Sequence, residues 1–428
     1  MLGSIIGDTV GSSYEFHNTK EYDFELFPMN SSYTDDSVMT MAIAYWLLND
    51  KEHSYQGLED TMVMFGEKCP CPMGGYGGGF HTWLFSPKSL YAYDDKYGEA
   101  PYDSTTGRHP YGSWGNGSAM RVSAVGWFFD TLEETERVAA ISAGITHNHP
   151  EGIKGAQATA TTIWMARNGK DKDEIRDYIE NKYGYDLHKT WEYWHPRYYW
   201  ESSCQGTVPQ AIIAFLDSTD FEDAIRKAVS LGGDSDTLAC ITGGIAEAFY
   251  KEIPKEMSDR TQKHFPRIFN QILASVHANT VYGKLTNIEP LLQPRPANWD
   301  KRIASDRISE LADGEIFVFG SNLAGQHGGG AALAAYRKFG AIWGQGVGLQ
   351  GQCYAIPTMQ GGVDTIKPYV DDFIEFAKTH PEMRFLVTRI GCGIAGFTDS
   401  EIAPLFKDAV AVDNIYLPKV FWQEITID

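Results

Sequence analysis

The chain of 428 residues has little cysteine and little positive charge, and both shortages narrow what the protein can be. Among its six cysteines only Cys69 and Cys71 form a close pair, and no histidine or second pair stands at zinc-ligand spacing. We therefore expect reduced thiols and no zinc site. The 36 Lys and Arg residues face 56 Asp and Glu residues, and the net charge of −20 disfavours strong nonspecific binding to nucleic acid or anionic membranes.

Long hydrophobic runs are also missing from the chain. Residues 41–48 form one of the longest apolar runs, which is far too short to cross a bilayer. The apolar stretch at the amino terminus has no basic region before it, and Asp8 interrupts it, so it does not read as a signal peptide. These features predict a soluble, cytoplasmic protein. Hydrophobic residues still make up 43% of the chain and aromatic residues 13%, which argues against disorder, and the length favours two domains.

Residues 1–286 show helical periodicity and weak strand signals, which predicts an all-α domain. After Thr34, apolar residues recur at Val38, Met41 and Tyr45, the spacing of a buried helical face. Thr34 is expected to cap this helix, because its hydroxyl can accept a hydrogen bond from the first turn. Further helices are predicted over residues 133–144, 152–167, 207–216, 222–230 and 237–250, the last with small residues that allow close helix packing.

Residues 287–312 are polar, contain three prolines and lack periodicity, so they are predicted to be a linker. From residue 313 to residue 428, strand and helix signals alternate, which predicts a second domain of α/β layers. Its expected strands are residues 316–319, 354–356 and 385–390, and its expected helices are residues 331–339 and 369–379.

Two acidic clusters, Thr34–Ser37 and Asp234–Thr237, each lead into an apolar helix. Carboxylates and hydroxyls are hard oxygen ligands, which suit Mg²⁺, Mn²⁺ or Ca²⁺. Each cluster alone could be no more than a solvated helix cap. However, Asp35 and Asp36 are adjacent and repel one another unless a cation or solvent separates them. We therefore expect the fold to bring both clusters together around metal ions.

Three glycine-containing segments accompany these clusters. Residues 7–15 end in a carboxylate, Glu15, after a glycine-containing turn. Residues 74–79 hold five glycines in six positions, and such a loop can offer backbone N–H groups to a diphosphate, although a plain surface loop is the alternative. Residues 112–121 place glycines and polar side chains ahead of an apolar helix.

In this order, and together with Thr-His-Asn-His-Pro at 146–150 and Gly-Gly-Asp-Ser-Asp-Thr at 232–237, residues 1–275 resemble an ADP-ribosylglycohydrolase of the dinitrogenase-reductase-activating type. That family has an all-α fold with a two-metal centre. The resemblance implies that two Mg²⁺ or Mn²⁺ ions are held by Thr34, Asp35, Asp36, Asp234, Asp236 and Thr237. It also implies that Gly77, Gly78 and Gly79 bind the diphosphate and that Ser113, Trp114, Asn116 and His147 contact ADP-ribose.

The resemblance also leaves alternatives open. His147 could be a packed histidine without a ligand, and His149, which precedes Pro150, is expected to be structural. The aromatic segment 181–203 could shape substrate choice or could simply pack.

The function implied is hydrolysis of the glycosidic bond between ADP-ribose and a modified protein, nucleic acid or small conjugate. Such bonds break through an oxocarbenium-like state, helped by an acid and a base. The candidate carboxylates are Glu15, Asp35 and Asp36. We assign proton transfer to Glu15, because the aspartates serve as metal ligands. The alternatives are an ADP-ribose reader without turnover and a hydrolase of a free derivative such as O-acyl-ADP-ribose or a cyclic nucleotide.

The second domain resembles a macrodomain, the α/β/α module that binds ADP-ribose, over residues 313–410. It departs from that family by starting at an inner strand, so the early strands and their adenine-binding aspartate are missing, and a structural or partner-binding role is the alternative. The resemblance rests on two loops, and it implies ligand contacts from Asn322, Gly328, Gly329, Gly330, Gly391, Gly393, Ile394, Gly396 and Phe397.

Overall fold

The computed structural model describes residues 1–86, 101–263, 265–280, 293–305 and 307–427. Within it the chain divides into two compact units, Met1–Glu289 and Pro290–Asp428. Among the described residues, no helix is both long enough and apolar enough to cross a membrane.

The described part of the first unit is built from α-helices, as its periodicity predicts. Every helix predicted from the sequence is present, and most begin one to three residues earlier than the apolar pattern does, because capping and first-turn residues are polar. The helices are α1 (Leu2–Gly11), α2 (Asp35–Asn49), α3 (Tyr55–Lys68), α4 (Gly78–Phe85), α5 (Gly117–Met120), α6 (Ser123–Phe128), α7 (Leu132–Gly144), α8 (Pro150–Arg167), α9 (Lys172–Tyr183), α10 (Trp191–Trp194), α11 (Cys204–Leu216), α12 (Phe221–Ser230), α13 (Ser235–Tyr250), α14 (Lys255–Gln262) and α15 (Arg267–Thr280).

Helices α1 and α13 pack with their backbones in direct contact. A Cβ added to Gly7 would lie 1.9 Å from the carbonyl oxygen of Ala239, and one added to Gly3 would lie 2.3 Å from that of Gly243. Only glycine allows this separation, since any side chain would overlap the facing backbone. The close packing expected for residues 237–250 is therefore present, and α1 is the helix that approaches.

The second unit contains a mixed six-stranded sheet. Its strands are β2 (Ile303–Ala304), β3 (Glu315–Ser321), β4 (Gly348–Gln350), β5 (Cys353–Pro357), β6 (Arg384–Val387) and β7 (Ile415–Pro418), in the spatial order β2-β7-β6-β3-β5-β4. All neighbouring pairs are parallel except β4 with β5. A separate two-stranded pair joins β1 (Gln293–Pro294) to β8 (Thr426–Ile427).

Alternate residues of β3 face opposite sides of this sheet. Ile316 and Val318 join a core that includes residues of α17 (Lys367–Thr379), the 3-10 segment Ala403–Ala411 and α19 (Lys419–Ile425). Phe317 and Phe319 join a second core with α16 (Gly330–Lys338). The sheet is therefore covered on both faces, which is the layered arrangement expected from the alternating sequence signals.

Two details of the second unit differ from the sequence prediction. The strand expected over residues 385–390 ends at Val387, and the chain turns at Gly391, whose φ of +73° favours glycine. In the predicted linker 287–312, residues 287–292 and 306 lie outside the described residues. Farther along, Trp299–Arg302 forms a 3-10 turn ahead of β2, and the Arg302 side chain is buried against carbonyl oxygens near β7. The second unit thus includes part of that segment. The short helix α18 (Asp399–Ile402) completes its described elements.

Candidate active site

The two acidic clusters lie at the starts of α2 and α13. Thr34 caps α2 as predicted, because its hydroxyl accepts a hydrogen bond from the backbone N–H of Asp36 at 3.2 Å. The clusters meet where the Thr237 hydroxyl donates to Oδ2 of Asp36 at 3.3 Å. A Cβ on Gly11 of α1 would lie 2.5 Å from the Cα of Asp236, so the tight α1–α13 contact sets the position of the second cluster.

Asp8 in α1 fixes the first cluster, a role that the sequence analysis did not assign. Its carboxylate accepts hydrogen bonds from Thr34 N at 2.9 Å, Thr34 Oγ1 at 2.7 Å and Ser37 N at 3.0 Å, and also from the Ser37 hydroxyl. Burial raises the pKa of Asp8 to about 6 despite these four donors. The sequence signal was an aspartate inside an otherwise apolar helix, where a carboxylate is costly unless several donors surround it.

Glu15 joins the second cluster. One carboxylate oxygen from each of Glu15, Asp234 and Asp236 lies within 4.8 Å of the others, and Glu15 also rests against Gly74 of the glycine loop. Burial, and then the charge of Asp234, raise the pKa of Glu15 to about 7. Glu15 therefore contacts both the second acidic cluster and the glycine loop that is expected to bind diphosphate.

The carboxylates of the two acidic clusters repel one another and are not neutralised by any positively charged side chain among the hydrogen bonds described above. Burial and the neighbouring carboxylates raise the pKa values of Asp35, Asp36 and Asp236 well above the ordinary range. Oδ1 of Asp36 is buried and has no hydrogen-bond partner among the described residues. Buried carboxylates at this density require protons or cations, and their hard oxygen atoms fit Mg²⁺ or Mn²⁺.

A cavity of about 440 Å³ lies against these carboxylates. Thr34 and Trp114 are predicted site residues that lie outside its lining. The Thr34 hydroxyl is bonded to Asp8, and the Trp114 ring packs edge-to-face on His149 with ring centroids 5.4 Å apart. The other predicted residues of the first unit all line the cavity: Glu15, Asp35, Asp36, Gly77, Gly78, Gly79, Ser113, Asn116, His147, Asp234, Asp236 and Thr237.

The glycine loop presents its backbone to open space. Gly77 caps α4, and a Cβ at Gly75, Gly77 or Gly78 would meet no atom within 4 Å. The loop is anchored from below, since the Tyr76 hydroxyl donates to the carbonyl oxygen of Cys69 at 2.7 Å. A fixed, uncovered backbone at the start of a helix is an arrangement that can receive phosphate oxygens.

The Asn116 side chain makes hydrogen bonds within the protein. Its Nδ2 donates to Oδ2 of Asp234 at 2.7 Å, and its Oδ1 accepts from Gly117 N at 2.9 Å as the cap of α5. Ser113 also bonds locally, accepting from Gly115 N at 3.1 Å. Asn116 thus orients a carboxylate of the acidic cluster in addition to lining the cavity.

Arg121, the last residue of the segment 112–121, also lines the cavity, a position that the sequence analysis does not predict. Its buried guanidinium donates to Ser142 O at 2.7 Å and Thr146 Oγ1 at 2.9 Å, both neutral acceptors, and burial lowers its pKa to about 10. Its Nε has no hydrogen-bond partner among the described residues. A buried cation that bonds only neutral acceptors favours an anionic ligand in the adjoining cavity.

His147 lines the cavity as a neutral ring. Its Nδ1 lies 2.7 Å from Thr146 Oγ1, and burial followed by the charge of Arg121 lowers its pKa well below the usual range. Its Nε2 lies near Gly115 and Gly117. By contrast, the His149 ring accepts from Glu151 N at 3.1 Å and caps α8, which is a structural role.

The aromatic segment 181–203 both packs and lines the site. Trp191 donates its indole N–H to Lys227 O at 2.9 Å, and Tyr198 is buried. Trp200 lines the cavity and stacks on Phe16, with ring centroids 5.9 Å apart. The segment therefore packs in part and lines the cavity in part, and its influence on substrate choice stays a prediction.

Residues 1–285 match the family model of ADP-ribosylglycohydrolase. The chain belongs to the ADP-ribosylglycohydrolase family. It is 25% identical over 314 residues to ADP-ribosylhydrolase ARH3 of Homo sapiens, covering 58% of this chain and 84% of the relative. It is 24% identical over 268 residues to ADP-ribosylarginine hydrolase Tri1 of Pseudomonas putida (strain GB-1), covering 58% and 69%. A solved ADP-ribosylglycohydrolase-related protein complex aligns with a TM-score of 0.48 at 22% identity, covering 65% of this chain and 94% of that chain.

The family predicted from the motifs is thus confirmed for the helical unit, and the relatives are named as hydrolases of ADP-ribosyl bonds. The family match ends at residue 285. The metal ions, the acceptor and the macrodomain assignment stay predictions.

In the second unit, the two predicted loops follow β3 and β6, which are neighbouring parallel strands. They approach one another, since a Cβ on Gly329 would lie 3.0 Å from Cδ1 of Ile394. The Asn322 amide closes its own loop, donating to Gln326 O at 3.0 Å and accepting from Gln326 N at 3.1 Å. A Cβ at Gly328, Gly393 or Gly396 would meet nothing within 4 Å, so the backbone of both loops is uncovered at these positions. Gly330 is the first residue of α16. In the second loop, Phe397 N donates to Gly391 O at 3.1 Å.

Proposed function

We propose that the protein is a metal-dependent hydrolase that cleaves the glycosidic bond between ADP-ribose and an acceptor. The observation that carries this proposal is that Glu15, Asp36 and Asp236 line the same cavity as the glycine loop. Arg121 lines this cavity too, so its lining combines carboxylates with a buried positive charge and backbone N–H groups. Such a lining suits a ligand that carries both hydroxyl groups and phosphates.

Two Mg²⁺ or Mn²⁺ ions would be held by Asp35, Asp36, Asp234, Asp236 and Thr237, all of which line the cavity. When bound, such ions supply Lewis-acid chemistry and activate water for attack. The unpartnered Oδ1 of Asp36 supports this assignment. Thr34 has its hydroxyl bonded to Asp8, so its proposed contribution is to hold the start of α2.

Glu15 is the proposed proton-transfer residue. Its pKa of about 7 lets it hold or release a proton near neutral pH, and it lines the cavity beside the second cluster. Asp36 and Asp236 are buried, whereas Glu15 is partly exposed, so the two aspartates suit charge pairing with metal better than exchange with substrate. Neutral His147 can offer a hydrogen bond without bringing a second positive charge next to Arg121.

The proposed diphosphate site is the glycine loop with Gly77, Gly78 and Gly79. The backbone is open at Gly77 and Gly78, which lets phosphate oxygens approach the N–H groups at the start of α4, whereas Gly79 faces the Tyr111 ring. Arg121 adds a buried positive charge to the same cavity. The acceptor would leave past the exposed, stacked rings of Phe16 and Trp200, which line the same cavity as Glu15.

The central experiment is release of free ADP-ribose from a panel of ADP-ribosylated arginine, serine, DNA and O-acetyl-ADP-ribose. Turnover of at least one substrate should require Mg²⁺ or Mn²⁺ and should stop with EDTA. Glu15→Gln should bind ADP-ribose but lose turnover, while Asp236→Ala should lose metal and turnover together. Glu256→Gln, on an exposed face of α14, is the matched control that keeps activity. Binding without release from any substrate would support the reader alternative and refute the hydrolase.

We also propose that the second unit is a macrodomain-like ADP-ribose module. Support comes from its two glycine loops beside one another after β3 and β6. In the full chain carrying Asp236→Ala, residual ADP-ribose binding that disappears on adding Gly329→Glu would support this module. Binding that is already absent in Asp236→Ala would contradict it and favour a structural role.

A further inference from the structure

Glu15 lies on a stretch of chain that no helix or strand holds in place. Helix α1 ends at Gly11, and residues 12–17 form only turns and bends. A carboxylate oxygen of Glu15 nevertheless lies within 4.8 Å of carboxylate oxygens of Asp234 and Asp236. Like charges at this distance repel one another, so the chain needs a tie that keeps Glu15 beside the second cluster.

The side-chain amide of Asn18 makes this tie. On one side, its Nδ2 donates to the carbonyl oxygens of Tyr14 at 2.7 Å and Glu15 at 2.8 Å. On the other side, Nδ2 donates to Gly233 O at 2.9 Å, and Oδ1 accepts from Gly233 N at 2.7 Å. The backbone of Glu15 is thereby joined to the residue immediately before Asp234.

Among side chains of this size, only an amide fits these four contacts. Nδ2 of Asn18 faces three carbonyl oxygens, which can only accept, and Oδ1 faces a backbone N–H, which can only donate. The orientation of the amide is therefore fixed by its partners. An aspartate at this position would place a carboxylate oxygen against three carbonyl oxygens and would lose the donor.

The turn at the far end of the tie is itself held. Gly233 has a φ of +74°, and a Cβ there would lie 2.9 Å from the carbonyl oxygen of Tyr199, so the turn packs closely on its neighbour. The Lys20 ammonium donates to the carbonyl oxygen of Leu231, two residues before Gly233, and to that of Tyr198 at 2.9 Å. The tie therefore runs to a fixed turn.

We propose that Asn18 is a positioning residue, which sets the place of the Glu15 carboxylate relative to Asp234 and Asp236. This inference rests on the proposed function, in which Glu15 transfers a proton. Asn18 does not line the cavity, so it acts through Glu15 and not on the ligand. Misplacing a reacting group by about 1 Å can slow a reaction about a hundredfold, so losing the tie should lower turnover more than binding.

The test compares Asn18→Ala and Asn18→Asp with the wild type in the full chain. On a substrate of the panel above that the wild type cleaves, kcat for ADP-ribose release should fall about tenfold or more, with a much smaller change in KM. Amide hydrogen exchange, measured without substrate, should rise in peptides that cover residues 12–20. Asn18→Asp should be the more severe variant. Asn18 is exposed, so neither variant should unfold the protein.

Asn414→Asp is the matched control. The Asn414 amide, in the second unit, also donates to three carbonyl oxygens, those of Ala377 and His380 at 2.9 Å and that of Met383 at 3.1 Å. Its replacement removes the same kind of contact at a place that has no role in the proposed reaction. It should lower the free energy of unfolding but leave kcat and the exchange at residues 12–20 unchanged.

Three results would overturn the inference. The first is wild-type kcat in both Asn18 variants while Glu15→Gln is inactive. The second is unchanged hydrogen exchange at residues 12–20. The third is an equal fall of kcat in Asn414→Asp, which would mean that general destabilisation is the cause. Absence of ADP-ribose release by the wild type would refute the proposed function and this role together, whereas release with fully active Asn18 variants would refute this role alone.

Discussion

The hydroxyl of Thr237 donates to Oδ2 of Asp36 at 3.3 Å across 201 residues of sequence. This contact joins the start of α13 to the start of α2, and with it the two acidic clusters. The Thr237 hydroxyl holds one carboxylate oxygen while the other oxygen of Asp36 stays unpaired. The pair therefore fixes the Asp36 carboxylate while leaving free Oδ1, the oxygen that we propose as a metal ligand.

Replacing Thr237 with Val should weaken Mg²⁺ binding at least tenfold, because Asp36 loses its cross-cluster donor and the proposed metal centre loses a hydroxyl ligand. Titration calorimetry with MgCl₂ measures this. Thr242→Val is the matched control, since Thr242 lies in the same helix and donates to Ala211 O at 2.9 Å, away from the cavity. It should lose stability but keep Mg²⁺ affinity, and equal losses of affinity in both variants would contradict the prediction.

Ser37→Ala should destabilise the protein in a pH-dependent way. The Ser37 hydroxyl donates to buried Asp8, whose pKa is about 6, so the bond is charge-assisted above that pH. We expect a loss of about 1.5–3 kcal/mol in the free energy of unfolding at about pH 8 and a smaller loss at about pH 5. Ser235→Ala is the control, because that hydroxyl donates to the neutral carbonyl of Gly11 and its loss should not vary with pH. Urea unfolding at both pH values measures these free energies. If Ser37→Ala lowers the free energy of unfolding equally at both pH values, the prediction is wrong.

Metal and protons should compete for the acidic clusters. The pKa values of Asp8 and Glu15, about 6 and 7, are raised above those of the unfolded chain, so the folded state holds extra protons. The stability from those protons is present below about pH 4 and is lost as the pH rises through 6 and 7. Added Mg²⁺ should therefore raise the melting temperature more at about pH 8 than at about pH 5.5. Asp236→Ala should abolish the difference, and an equal Mg²⁺ effect at both pH values in the wild type would refute the competition.

Gly78→Ala separates ligand binding from stability. Gly78 is the first residue of α4 and lines the cavity, and a Cβ there would meet nothing within 4 Å. The free energy of unfolding should therefore stay unchanged or rise by up to about 1 kcal/mol. The methyl group would occupy space proposed for the diphosphate, and ADP-ribose affinity should fall tenfold or more. Gly362→Ala, at another open glycine with φ of −71°, should change neither property. Unchanged ADP-ribose affinity in Gly78→Ala would remove the diphosphate from this loop.

Helices of the first unit could be predicted from the sequence because their signals are local, namely capping residues and a helical spacing of apolar residues. Thr34 and the carboxylates after it combine a cap with an apolar period, and both features lie within a few residues. Asp8 and Arg121 were missed because their roles depend on partners 21 to 29 residues away, which no local pattern specifies. The motif predicts a ligand contact for Trp114 but not the packing of its ring on His149, which depends on tertiary structure.

The second unit followed the same rule. Strands β3 and β5 are continuous apolar runs and were predicted, whereas β2 has two residues inside a proline-rich segment and gives no periodic signal. Residue type predicts a ligand contact for Asn322, and it does not predict that the Asn322 amide bonds the backbone of Gln326 four residues later. A side chain that closes its own loop cannot be told from a ligand contact by residue type alone.

The separation of the two acidic clusters along the chain also sets the order in which the site can form. During synthesis, Asp35 and Asp36 leave the ribosome long before Asp234 and Asp236 have been added. Until α13 emerges and packs on the glycines of α1, the nascent chain holds only half of the cluster. A fragment that ends anywhere between the two clusters therefore cannot assemble the site, even if the helices that it contains fold.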